Sequence, residues 1–130
     1  MSTASPVARP DFAAHDRAYR LALDKIVDEL RSVLGATLVA YLADVTETRA
    51  VREWAEGVRE PRSPVPERLR LALQVVEMLR ARESDAVIQG WFQGLNPRLE
   101  DRSPARLLRE GELDDVGPQV LAAARAFAAG

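Results

Sequence analysis

The stretch Thr37–Ala55, TLVAYLADVTETRAVREWA, decides the reading of the fold. Leu38, Val39 and Leu42 recur at helical spacing in its first half, and Ala50, Val51 and Trp54 do so in its second. Asp44-Val45-Thr46 stands between them, with Thr46 as the expected N-cap of the second helix. Two short helices, Thr37–Ala43 and Glu47–Ala55, joined by a tight turn are the layout of a helix-turn-helix. In that arrangement the second helix enters a major groove about 12 Å wide and the first braces it.

With Ala50, Val51 and Trp54 inward, the outward residues are Glu47, Thr48, Arg49, Arg52, Glu53 and Glu56. Thr48 and Arg49 occupy the first turn, nearest the base edges. Arginine can grip guanine with two donors, and glutamate can accept from cytosine. Arg59 and Arg62 follow in the next loop, within reach of phosphates. The DNA-reading candidates are therefore Thr48, Arg49, Arg52, Glu53 and Arg59, with operator DNA as the partner. From Thr46 to Leu71 there are six arginines and five glutamates, a surplus of +1. That weak surplus suits a homodimer presented with two half-sites. It suits equally two amphipathic helices that only pack.

Outward from this stretch the chain reads as helices separated by clear punctuation. Residues 1–16 begin MSTASPVARP, small and polar with two prolines, and are expected to be a flexible tail. From Arg17 to Leu34, Tyr19, Leu23, Ile26, Val27, Leu30, Val33 and Leu34 mark one helical face, closed by Gly35. Gly57 ends the second short helix. Pro61, Pro64 and Pro66 then describe an extended loop, with Pro66 in the first turn of the next helix. Leu69, Ala72, Leu73, Val76 and Leu79 form its buried stripe. Ser84 caps a helix carrying Val87, Ile88, Trp91 and Phe92 inward, and Gly94 stops it. Asn96-Pro97 is a turn signal. Ser103-Pro104 opens a short helix with Leu107 and Leu108 inside, closed by Gly111. A last helix is expected after Gly117-Pro118, bearing Val120, Leu121, Ala124, Phe127 and Ala128. No segment alternates with period two for more than a few residues. The fold class is all-α, with domains expected at 17–83 and 84–130.

Composition narrows the chemistry. The 130 residues are 47% apolar and 29% charged, with 18 Lys+Arg against 20 Asp+Glu, a net charge of −2. Bulk positive charge therefore does not bind nucleic acid here. There is no cysteine, which excludes disulfides and thiolate chemistry. His15 is the single histidine, too few for His-based metal sites or Ser-His catalysis. The acidic pairs Glu100-Asp101 and Asp114-Asp115 point apart, and the second suits a helix N-terminus. No run approaches the ~18 apolar residues of a membrane span, and the first ten residues lack a secretory pattern. A cytoplasmic, non-enzymatic protein without cofactor or metal is expected.

Two runs carry a family resemblance. VTETRAVREWAEGVREP (Val45–Pro61) resembles the Xre-type helix-turn-helix through Thr46, Val51, Trp54, Gly57, Arg59 and Pro61. WFQGLNPRLEDRSPARLLREGELDDV (Trp91–Val116), with AAARAFAAG (Ala122–Gly130), resembles the toxin-binding domain of the Xre/MbcA/ParS antitoxins. The matching residues are Trp91, Asn96, Leu99, Pro104, Leu107, Leu108, Gly111, Val116 and Gly130. Together the two runs cover about Leu34 to Gly130, in the family's own order. Two positions depart: Leu95 replaces a usual Pro, and Glu100-Asp101 replaces a common Gly pair.

The resemblance implies an Xre-like helix-turn-helix bundle followed by a small three-helix toxin-binding region. It implies the antitoxin of a type II pair, which binds and inhibits a RES-domain, NAD-consuming toxin encoded beside it and represses its own operon. Hetero-oligomers of toxin and antitoxin are implied as well. The toxin-binding candidates are Trp91, Asn96, Leu99, Arg125, Phe127 and Gly130. Phe127 is the one large residue near the end of the final helix, and Arg125 its one charge. Two rival readings stay open: a stand-alone regulator whose C-terminal helices only dimerise, and an interaction module whose helix-turn-helix no longer reads DNA.

Overall fold

Ala14 and residues 21–130 are described by a computed structural model. Among these residues the chain is all-α. The helices are α1 (Leu23–Leu34), α2 (Ala36–Ala43), α3 (Thr48–Ala55), α4 (Val65–Leu79), α5 (Asp85–Gln93), α6 (Pro104–Glu110) and α7 (Leu113–Ala129). One 3-10 turn, Pro97–Leu99, lies between α5 and α6.

The core forms around α1 and α4, the two helices whose apolar stripes are longest. Ile26, Val27, Leu30, Val33 and Leu34 of α1 are buried, as are Leu69, Ala72, Leu73, Val76 and Leu79 of α4. α1 packs against α2, α3, α4 and α5, and α4 also carries α7. α6 lies across α2, α5 and α7. Buried residues from Ile26 to Ala124 belong to one cluster, so the expected boundary at residue 83 crosses a shared core. Ala14, within the stretch expected to be a tail, is helical and buried in that same cluster.

Several helix ends fall where the sequence puts them. Ser84 accepts from the Val87 amide, and Ser103 from the Arg106 amide. Gly94 and Gly111 close α5 and α6. Three expectations need correction. α1 starts at Leu23, not Arg17: Ala22 is extended (φ −64°, ψ 149°), and Arg70 holds the entry by donating to the Leu21 carbonyl at 2.9 Å. Residues 15–20, with Tyr19 and His15, lie outside the described residues. Val87 is 41% exposed although Ile88 beside it is fully buried, because α5 meets the core over a narrower face than its apolar residues cover.

The third correction is at Pro118, which sits inside α7. Proline removes one amide donor and crowds the carbonyl four residues back. Here that carbonyl belongs to Asp114, which is exposed to water. The Gln119 side chain donates to the Asp115 carbonyl at 3.1 Å. Val116 and Gly117 are buried, and a Cβ on Gly117 would lie 2.9 Å from Leu71 Cδ1. Packing on α4 thus carries the helix through the proline, while Asp114 and Asp115 favour its N-terminus.

Two glycines are required by the backbone. Gly35 turns α1 into α2 at φ +88° and ψ 152°, a region that side chains rarely adopt. Gly111 is needed for space instead: a Cβ there would approach Val116 Cγ1 and the Leu107 carbonyl oxygen, the latter at 2.9 Å. Gly35→Ala is expected to cost about 1–3 kcal/mol through strain alone. Gly111→Ala is expected to cost about as much through overpacking. Urea unfolding of both variants checks this, and an unchanged midpoint for Gly35→Ala would refute the strain at that corner.

Candidate nucleic-acid and partner interfaces

The α2–α3 pair is joined by residues 44–47. Asp44 ends α2 in the left-handed region (φ 60°), and its amide bonds to the Ala40 and Tyr41 carbonyls. Val45 donates to the Ala40 carbonyl at 3.0 Å. The N-cap of α3 is Glu47, not Thr46, and no side chain caps that end. Ala50, Val51 and Trp54 are buried, as their spacing requires.

Two arginines from elsewhere hold this turn. Arg109 of α6 donates from Nη1 to the Tyr41 carbonyl at 3.0 Å and pairs through Nη2 with Asp44 at 2.8 Å. Its guanidinium also lies 4.5 Å from the Tyr41 ring centroid, a cation–π distance. Arg68 of α4 is buried and donates to the Leu42 carbonyl at 3.3 Å, while its Nε has no partner among the described residues. Burial lowers the Arg68 pKa, Asp44 opposes that, and Arg109 adds to it. Neither arginine was singled out from the sequence. Arg68 sits one turn before Ala72 on an otherwise apolar stripe, and that placement was the available signal.

The five DNA-reading candidates divide into three settings. Thr48 is exposed in the first turn of α3, beside Arg49, in a cleft of about 680 Å³ that Tyr41 and Arg109 also line. Arg49 and Arg59 both reach Glu53, at 3.2 and 3.1 Å. Arg52 is exposed.

The second site lies at the far end of α7. Trp91, Asn96, Phe127 and Gly130 line one groove of about 580 Å³, together with Glu83, Leu95 and Arg98. Four of the six toxin-binding candidates are thus brought together. Leu99 is 1% exposed and anchors the turn from beneath. Arg125 is exposed on α7 outside the groove lining. Phe127 is 41% exposed and Leu95 75%, both large apolar side chains in open view. The Trp91 ring meets Phe92 edge-on at 5.4 Å and Phe127 at 6.4 Å. Of the alanines on α7, Ala122 and Ala129 are exposed, whereas Ala123 belongs to the core. Arg82 donates to the Ala128 carbonyl at 2.8 Å, which ties the end of α7 to the α4–α5 loop.

Asn96 organises the groove's other wall. Its side chain accepts from the Arg98 amide at 2.9 Å, and its carbonyl accepts from the Leu99 and Asp101 amides. Its own amide donates to the Arg102 carbonyl at 3.2 Å. This closure needs Glu100 and Asp101 both in the left-handed region, at φ 58° and 62°. Glycine adopts that region freely and other residues do so at a cost.

Among the described residues no three of His, Cys, Asp and Glu cluster as metal ligands, and no helix is long and apolar enough to cross a membrane.

Comparison with known proteins places this geometry. No family model and no curated protein matches the chain. Among solved structures, a chain of the crystal structure of the M. tuberculosis MbcT–MbcA toxin–antitoxin complex is similar. The TM-score is 0.62 at 27% identity, over 82% of this chain and 96% of that one. The two chains share a fold.

The left-handed pair yields a prediction. Glu100→Gly and Asp101→Gly should each stabilise the protein by about 1 kcal/mol, since the strain disappears, less what is lost through a freer unfolded chain. Chemical denaturation measures it; destabilisation by both would mean that the loop's side chains matter more than its backbone.

Proposed function

We propose that this chain is the antitoxin of a type II toxin–antitoxin pair. In this reading it binds and inhibits a RES-domain, NAD-consuming toxin encoded beside it and represses its own operon through α3. The observation that carries the reading is the groove at the end of α7. Its exposed Phe127 and Leu95 flank Trp91, and the fold around it is shared with a chain of a toxin–antitoxin complex. Large apolar side chains in contiguous open view mark interaction sites, and aromatic anchors dominate interface energetics. The exposed Ala122 and Ala129 allow a partner's backbone to approach α7 closely at little ordering cost.

DNA binding is the second half of the proposal. It rests on the exposed, Arg-bearing first turns of α3 and on the braced turn that precedes it. Its weak charge surplus calls for two copies on two half-sites.

Co-expression with the product of the adjacent gene, followed by purification through a tag on one chain, tests the first half. The two chains should co-purify, and Phe127→Ala should weaken the complex by about 2 kcal/mol or more. A chain ending at Ala126 should stay folded and fail to protect cells. Full protection by that truncated chain would move the partner contact to α5 and α6. Self-association with no capture of the neighbouring product would favour the stand-alone regulator.

A further inference from the structure

Glu53 is the least exposed charged residue on the outward side of α3. Its side chain is 19% exposed, against 72% for Arg49 and 58% for Arg59. One carboxylate oxygen accepts from Arg49 Nε at 3.2 Å, and the other lies 3.1 Å from Arg59 Nε in an ion pair. Arg49 reaches it one turn away on the same helix. Arg59 lies beyond the end of α3 and returns because Gly57 takes φ +74° and the Val58 amide bonds to the Glu53 carbonyl at 2.9 Å.

We propose that Glu53 is a positioning residue of the DNA face, holding Arg49 and Arg59 together as one paired unit for a phosphodiester backbone and the base beside it. The inference rests on the DNA-binding reading above and goes further, because it reassigns Glu53 from base reader to clamp.

Three observations support it. Both arginines meet Glu53 through Nε, and no hydrogen bond from Nη1 or Nη2 of either is found among the described residues, so the two-pronged donor geometry suited to phosphate and guanine is kept. Both Glu53 oxygens face a guanidinium and the side chain is only 19% exposed, so the carboxylate is turned toward the arginines rather than outward to a base edge. The ion pairs are exposed on the arginine side, and such pairs contribute little to folding; what they do supply is orientation. The concavity they form, about 450 Å³, also has Glu47 on its wall. Two arginines face two glutamates there, so bulk charge does not draw DNA to it, and geometry has to.

The clamp predicts the opposite sign from bulk electrostatics. Removing a carboxylate from a DNA-binding face tightens binding to any duplex when charge alone matters. If Glu53 positions two arginines, its removal weakens binding to the specific duplex only. The test uses the full chain, a duplex taken from the DNA immediately upstream of its own coding sequence, and a scrambled duplex of equal length. Anisotropy titrations at two salt concentrations give the affinities, and thermal unfolding checks the fold of each variant. Glu53→Gln and Glu53→Ala should lose about tenfold on the upstream duplex, the worth of one good bidentate contact, and change little on the scrambled one. Arg59→Ala should then cost much less in the Glu53→Ala background than in the wild type. Tighter binding to both duplexes overturns the clamp. So do additive effects, or an equal loss on both duplexes with a lowered Tm. A wild-type chain that does not distinguish the two duplexes brings down the DNA reading itself, and that result is visible before any variant is made.

Discussion

The carbonyl end of α2 is the point on which the rest of the structure depends. Five backbone and side-chain groups converge there: the Tyr41 and Leu42 carbonyls, the Asp44 carboxylate, and the guanidiniums of Arg68 and Arg109. Positive charge at a helix C-terminus is favoured by the helix dipole, and left-handed Asp44 turns the chain toward α3 while offering the carboxylate. Arginine suits this role where lysine would not, because its planar fork grips the Tyr41 carbonyl and Asp44 together and lies over the ring. Burying Arg68 is costly, since its Nε has no partner among the described residues. That cost is tolerated where the angle between two short helices must be held, since an eight-residue helix has little stability of its own.

The same contacts join the two stretches that carry separate motifs. Residues 17–83 and 84–130 look separate because each carries its own motif. Arg109 ties α6 to the α2–α3 turn, the Gln89 side chain donates to the Val33 carbonyl at 2.8 Å, and α7 rests on α4. The two hydrogen bonds join residues 68 and 56 apart, and no local pattern encodes them.

What was legible in the sequence was local. Ser84 and Ser103 announce helix starts because a hydroxyl satisfies amides that the helix cannot. The stripe from Leu69 to Leu79 announces a buried face because its spacing admits no other arrangement. The all-α class followed from these signals. The misreadings arise where distant packing overrides a local rule. Pro118 ordinarily marks a helix start, yet burial of Val116 and the close packing of Gly117 on Leu71 of α4 carry α7 through it. Thr46 is the better cap by chemistry, but the geometry of the turn gives that place to Glu47. At the groove, the resemblance marks Trp91, Asn96 and Gly130, and Phe127 stands out as the one large residue near the end of its helix. That they share one wall became visible only once α7 was laid against the 3-10 turn. The left-handed state of Glu100 and Asp101 falls at the position where the sequence departs from the family it resembles, a charged pair in place of a common glycine pair.

The shared core has a thermodynamic consequence. The helices that carry the groove and the exposed face of α3 share one cluster of buried side chains. In a two-state molecule both surfaces are then gained and lost in a single transition. A ligand that binds the folded chain at either surface raises the free energy of unfolding of the whole, by RT ln(1 + [L]/Kd). Occupancy at one end therefore raises the folded population of the other with no change of shape passing between them. The abundance of the folded α3 surface is in this way set by whatever occupies the groove.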